Sequence, residues 1–104
     1  MPSNCIYGCK LASLQEVKIK LEEALGFVFQ EHESFYIGVY FVYKENGKKI
    51  LELRKNVDPL DDEPFLAEFA TYESLLQVNQ ATTNLGDVAA ALKKLDAFVL
   101  LKSE

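Results

Sequence analysis

The sequence predicts an α+β domain: a mainly antiparallel sheet of about five strands with two helices on one face, in the order α-β-β-β-β-α-β. Three observations carry that expectation. Segments 14–25 and 85–95 repeat apolar residues at helical spacing. A hairpin over 35–55 turns at Asn46-Gly47, a dipeptide that supplies the positive φ angles of a type I′ turn. The 104 residues, 49% hydrophobic and 26% charged, suit a single domain, 1–104. At that size it buries over about 60% of its unfolded surface without a metal or disulfide.

Ser13-Leu14-Gln15-Glu16 fits a capping box, so the first helix begins there. Leu14, Val17, Leu21, Ala24 and Leu25 form its apolar stripe, and Gly26 suits the left-handed position that ends a helix. Phe27 and Phe29 alternate on one side of an expected strand over 27–31, followed by a turn at His32-Glu33-Ser34. A two-residue turn at Asn46-Gly47 sets Val42 opposite Leu51 and Tyr40 opposite Leu53, the expected core face. The other face then holds Tyr43 with Ile50, Phe41 with Glu52, and Val39 with Arg54. Aromatic groups mixed with charge on a sheet face with no helix over it mark either a docking surface or one covered by the following loop.

Pro59, Pro64 and the run Asp61-Asp62-Glu63 make 56–68 an acidic loop, because proline removes a ladder donor and breaks helices. A short strand follows over 75–79. Thr82, Thr83 and Asn84 offer N-caps for the second helix, and Asp87 favours its N-terminus. Leu85, Val88, Ala89, Leu92 and Leu95 form its buried stripe, and 97–101 reads as a last, largely buried strand.

A net charge of −5, from 16 acids against 11 bases, disfavours nucleic acid and anionic membranes, whose binding rests on neutralising phosphates. The natural complement is a basic protein surface. Residues 35–43, the longest nearly apolar run, number nine where a membrane-spanning helix needs about 20. The opening Met-Pro-Ser-Asn lacks the basic start and apolar run of a secretory signal, so cytoplasmic residence is the expectation.

Catalytic and cofactor signatures are not expected. His32, the only histidine, lies between Glu31 and Glu33 with Ser34 two residues on, but no motif activates that serine. Cys5 and Cys9, read as free thiols packed on a locally helical turn, would need His32 and an aspartate to complete a zinc site, and the second paired motif is missing. The acids Asp58, Asp61, Asp62 and Glu63 lack the alternating ligands, central glycine and closing glutamate of a calcium loop. Nor do the five dispersed glycines form a phosphate-binding loop. Neither a cofactor nor a metal is expected.

The segment His32-Glu33-Ser34-Phe35-Tyr36-Ile37-Gly38-Val39-Tyr40, with Asn56-Val57-Asp58 and Leu75-Leu76-Gln77-Val78-Asn79, resembles the small immunity proteins that bacteria keep against polymorphic or contact-dependent toxins. The resemblance covers roughly half of the chain and implies a non-enzymatic, cytoplasmic antidote that occludes a toxin's active site. It transfers no site residue. The candidate contacts come from charge and facial pattern alone: Tyr40, Phe41 and Tyr43 as aromatic anchors, with Asp58, Asp61, Asp62 and Glu63 as polar contacts. The alternative is a homodimeric structural or small-ligand-binding domain whose open sheet face closes on a second copy.

Overall fold

The computed structural model describes residues 4–10, 13–36, 38–57, 60, 62–64, 66–69, 71–79, 88–95 and 97–103. Leu14, Val17 and Leu21 lie buried along helix α1 (Leu14–Leu25). Ser13 caps it, its Oγ accepting from the Glu16 amide at 3.4 Å. Gly26 ends it at φ 71°, donating to the Glu22 carbonyl, as the sequence led one to expect. The second helix, α2 (Val88–Leu95), buries Val88 and Leu92 and carries Lys93 and Lys94 in its last turn, where cations offset the helix dipole. The expected caps at 82–84 and the residues 85–87 lie outside the described residues.

Among the described residues six strands form one antiparallel sheet, one more than expected. They are β1 (Asn4–Cys9), β2 (Gln30–Ser34), β3 (Gly38–Glu45), β4 (Lys48–Lys55), β5 (Ser74–Asn79) and β6 (Phe98–Ser103). Their spatial order is β2-β3-β4-β5-β1-β6. The added strand is β1, where the sequence suggested a helical turn. It sits between β5 and β6, pairs antiparallel with both, and makes them parallel to each other across the α2 crossover. Residues 27–29 form a connector and β2 starts at Gln30, so the expected strand at 27–31 shifts towards the chain's C-terminus. Glu22 pins that connector, its Oε2 accepting from the Phe29 amide at 2.8 Å.

The two helices and one sheet face enclose a single core that includes Tyr7, Cys9, Val17, Leu21, Phe41, Leu51, Leu53, Leu76, Val78, Val88 and Leu92. Phe27 packs edge-on to Phe29 with ring centroids 4.6 Å apart and lies 4.7 Å from Tyr43, extending the core under the connector. Burial of these large apolar side chains is the main stabilising contribution.

The hairpin turn has the expected geometry, with Asn46 at φ 53° and Gly47 at φ 78°. Glu45 pairs with Lys48 and Lys44 with Lys49, as a two-residue turn requires. Ile50 is then an extra residue. It has no partner on β3, and Tyr43 faces Leu51, Phe41 faces Leu53, Val42 faces Glu52 and Tyr40 faces Arg54. Because side chains alternate, this one-residue bulge reverses the expected faces: Phe41 and Tyr43 point to the helices, Tyr40 and Val42 away from them. Ile50 and Leu51, adjacent in sequence, both enter the core.

Candidate functional site

The sheet face away from the helices is polar at its centre. Direct pairing across the strands aligns His32, Tyr40, Arg54, Leu75 and Gly8 in one row, and Gln30, Val42, Glu52, Gln77 and Ile6 in the next. Ile6, Glu52, Arg54, Leu75 and Gln77 line a hollow of about 60 Å³ there, and Lys49 Nζ holds Glu52 Oε1 at 2.8 Å. His32 stacks on Tyr40 with centroids 5.5 Å apart. Ser34 Oγ accepts from the Tyr36 amide at 3.2 Å, a local turn contact. Cys5 and Cys9 on β1 stand four strand spacings from His32 on β2, about 19 Å, too far to share an ion.

One end of this face is covered. Asn56, 3% exposed, follows β4 and gathers the chain beyond it. Its Nδ2 donates to the carbonyls of Phe69 at 3.0 Å and Tyr72 at 3.2 Å, and its Oδ1 accepts from the Leu66 amide at 2.8 Å. Tyr72 is thereby placed over Gly8. Among the described residues the cover includes Tyr72 over Gly8 on β1 and Glu68, whose Oε1 lies 2.8 Å from Lys102 Nζ on β6.

The larger concavity lies on the other side of the sheet, at the N-terminal end of α1. Ser13, Leu14, Gln15, Glu31, Val39, Phe41 and Lys55 line a hollow of about 560 Å³. A second, of about 260 Å³, is lined by Leu14, Lys55, Val57, Asp62, Glu73 and Ser74. Sharing Leu14 and Lys55, the two form one groove from the acidic loop to the β2 edge. Among the described residues the two linings carry three carboxylates, Glu31, Asp62 and Glu73, and one ammonium, Lys55. Val39, 42% exposed, is an accessible apolar contact of the groove, and Glu33 pairs across from it on β2. Beyond Ser34 the turn presents Phe35 and Tyr36, 75% and 70% exposed, with rings edge to face.

The expected contacts are therefore redistributed. Phe41, 2% exposed, is a core residue at the groove floor and gives a partner almost no surface. Tyr43 is half-buried against Phe27, and its hydroxyl donates to Glu45 Oε2 at 2.7 Å. That bond, then partial burial, then the Glu45 charge, hold its phenol above the ordinary tyrosine value. Tyr40 is half-buried on the polar face. Asp62 and Glu63 are exposed, and Asp62 adopts a left-handed φ of 62°, a conformation aspartate tolerates better than most residues. Asp58 and Asp61 lie outside the described residues.

Sequence reasoning missed Glu31, Val39, Lys55 and Glu73 as one surface because they come from four separated segments. Phe35 and Tyr36 carried a readable signal, two adjacent aromatics beside a serine turn, but were assigned to strand. Among the described residues no helix is long and apolar enough to cross a membrane. No family description, curated protein or solved structure matches the chain.

Proposed function

We propose that this protein is a non-enzymatic binding protein whose acidic groove receives a basic surface of a partner protein, and that the partner is a toxin domain it inhibits. The observation that carries the first part is the groove itself, lined by Glu31, Asp62, Glu73 and Lys55 with Val39 as apolar contact, while Phe35 and Tyr36 stand exposed in the β2–β3 turn. Carboxylates around a concavity steer and orient a cationic partner, while exposed aromatics supply anchor area at low entropic cost. The toxin as partner rests on the resemblance of segments 32–40, 56–58 and 75–79 to immunity proteins.

The test is co-expression with the toxic domain encoded beside this gene. The protein should rescue growth and copurify with that domain, and the double variant Glu31→Lys, Asp62→Lys should lose both while unfolding at the same urea concentration. A neighbouring gene without toxicity, or rescue indifferent to both charge reversals, would remove the reading.

A further inference from the structure

Strand β2 forms one edge of the sheet, and among the described residues no strand pairs with its outer side. Such an edge offers a row of main-chain amides and carbonyls to an extended segment that can approach it, and its side chains decide which segments can. Glu31 and Glu33 lie opposite Phe41 and Val39, so both project to the groove side, while Gln30 and His32 take the polar face. Both glutamates are exposed, and neither has an ion-pair partner among the described residues. Full antiparallel pairing with a second copy would set Glu31 opposite Glu33 twice, and like charges directly opposite repel. A strand with cations at alternate positions meets the reverse: each cation stands opposite a glutamate. The groove is open on this side, since Glu31 lines it and Val39, beside Glu33, is 42% exposed. Lys55 does not oppose such a strand. Its own strand, β4, would lie three spacings away, about 14 Å, beyond the screening length of about 8 Å at physiological salt.

We propose that β2 takes up an extended basic segment of the partner protein by strand addition, with Lys or Arg at two alternate positions opposite Glu31 and Glu33. Past Ser34, the exposed Phe35 and Tyr36 offer contact to a large apolar residue at the end of that segment. In the antiparallel sense the segment therefore reads apolar-x-basic-x-basic. Main-chain hydrogen bonds supply the hold, and the two ion pairs fix the register, because a slip of one residue would carry both cations to the polar face. The inference rests on the reading that the partner is basic, and adds the element that holds it and the conformation in which it is held.

The probe is the peptide acetyl-Phe-Thr-Lys-Thr-Lys-Thr-amide, titrated into the full chain while the backbone amide resonances are followed by NMR. Saturable shifts at β2 are expected, with a dissociation constant in the millimolar range or tighter, and Glu31→Lys with Glu33→Lys should weaken binding about tenfold or more. Two N-methylated peptides give a second reading that does not depend on the variant folding. Amides of an added strand point alternately towards β2 and away from it, so methylating the lysine nitrogens and methylating the threonine nitrogens should differ. One should abolish binding and the other leave it within about threefold. Equal effects of the two, shifts spread over the whole acidic surface, β2 shifts that grow with protein concentration alone, or no saturable binding would each overturn the inference. The peptide assay contains no toxin, so the two readings fail separately: rescue on co-expression without peptide capture removes strand addition alone, and capture without rescue removes the toxin alone.

Discussion

Tyr72 occupies the space that any side chain at residue 8 would need. A Cβ on Gly8 would stand 2.6 Å from Tyr72 Cγ, 2.7 Å from its Cδ1 and 2.9 Å from Leu101 Cδ1. The crowded ring atoms include the one bonded to Cβ, so the ring cannot simply swing aside. Gly8→Ala should therefore destabilise by about 1–3 kcal/mol, seen as a lower urea midpoint with unchanged slope. Combined with Tyr72→Ala, the loss should be smaller than the sum of the two single losses, because the second change removes what the first collides with.

Asn56 holds three backbone groups contributed by Leu66, Phe69 and Tyr72. Truncation to alanine leaves a buried amide and two carbonyls seeking partners, so Asn56→Ala should cost about 2–4 kcal/mol. Asn56→Asp should cost at least as much, since it aims carboxylate oxygens at two carbonyls. Hydrogen exchange checks the cause: the Leu66 and Tyr72 amides should lose protection in either variant, while those of α1 keep theirs.

Phe41 and Val39 point to the same side of β3 but differ in exposure, 2% against 42%. Phe41→Ala should cost about 3–5 kcal/mol, a core cavity with no specific binding defect. Val39→Ala should stay within about 0.5 kcal/mol of the parent and, if the groove receives a partner, weaken that complex. Chemical denaturation of both variants separates the roles.

Local signals were legible where one segment carried them whole. Ser13 with Glu16, and Gly26, define both ends of α1, and Asn46-Gly47 defines its turn. The faces of the hairpin were misread because a single extra residue, Ile50, inverts every pairing beyond it. Apolar residues on both sides of 39–43 give no cue to that inversion. Strand β1 escaped notice because Asn4-Cys5-Ile6-Tyr7-Gly8-Cys9 is short and contains a glycine, and only the approach of Tyr72 from a distant segment explains that glycine. The groove was hidden for a related reason: Glu31 and Asp62 belong to one surface only after β2 has been placed at the sheet edge and Asn56 has gathered the loop.

Tyr43 gives the protein a defined alkaline weakness. Its hydroxyl donates to Glu45, and that bond, with partial burial and the Glu45 charge, raises the phenol above its ordinary value. A raised value means that the folded state holds the proton more tightly than the unfolded chain does. The associated stability is fully present below the ordinary tyrosine range, about pH 10, and is lost as pH climbs through the higher folded value. Tyr43→Phe removes both the hydrogen bond and the titration. Below about pH 9 the variant should be less stable than the parent by the worth of one partly exposed hydrogen bond. With increasing alkalinity the gap between the two should narrow, because only the parent carries this loss. Urea midpoints measured on both proteins from neutral pH into the tyrosine range decide it; a gap constant across that range would show that Tyr43 keeps no tighter hold on its proton in the folded state.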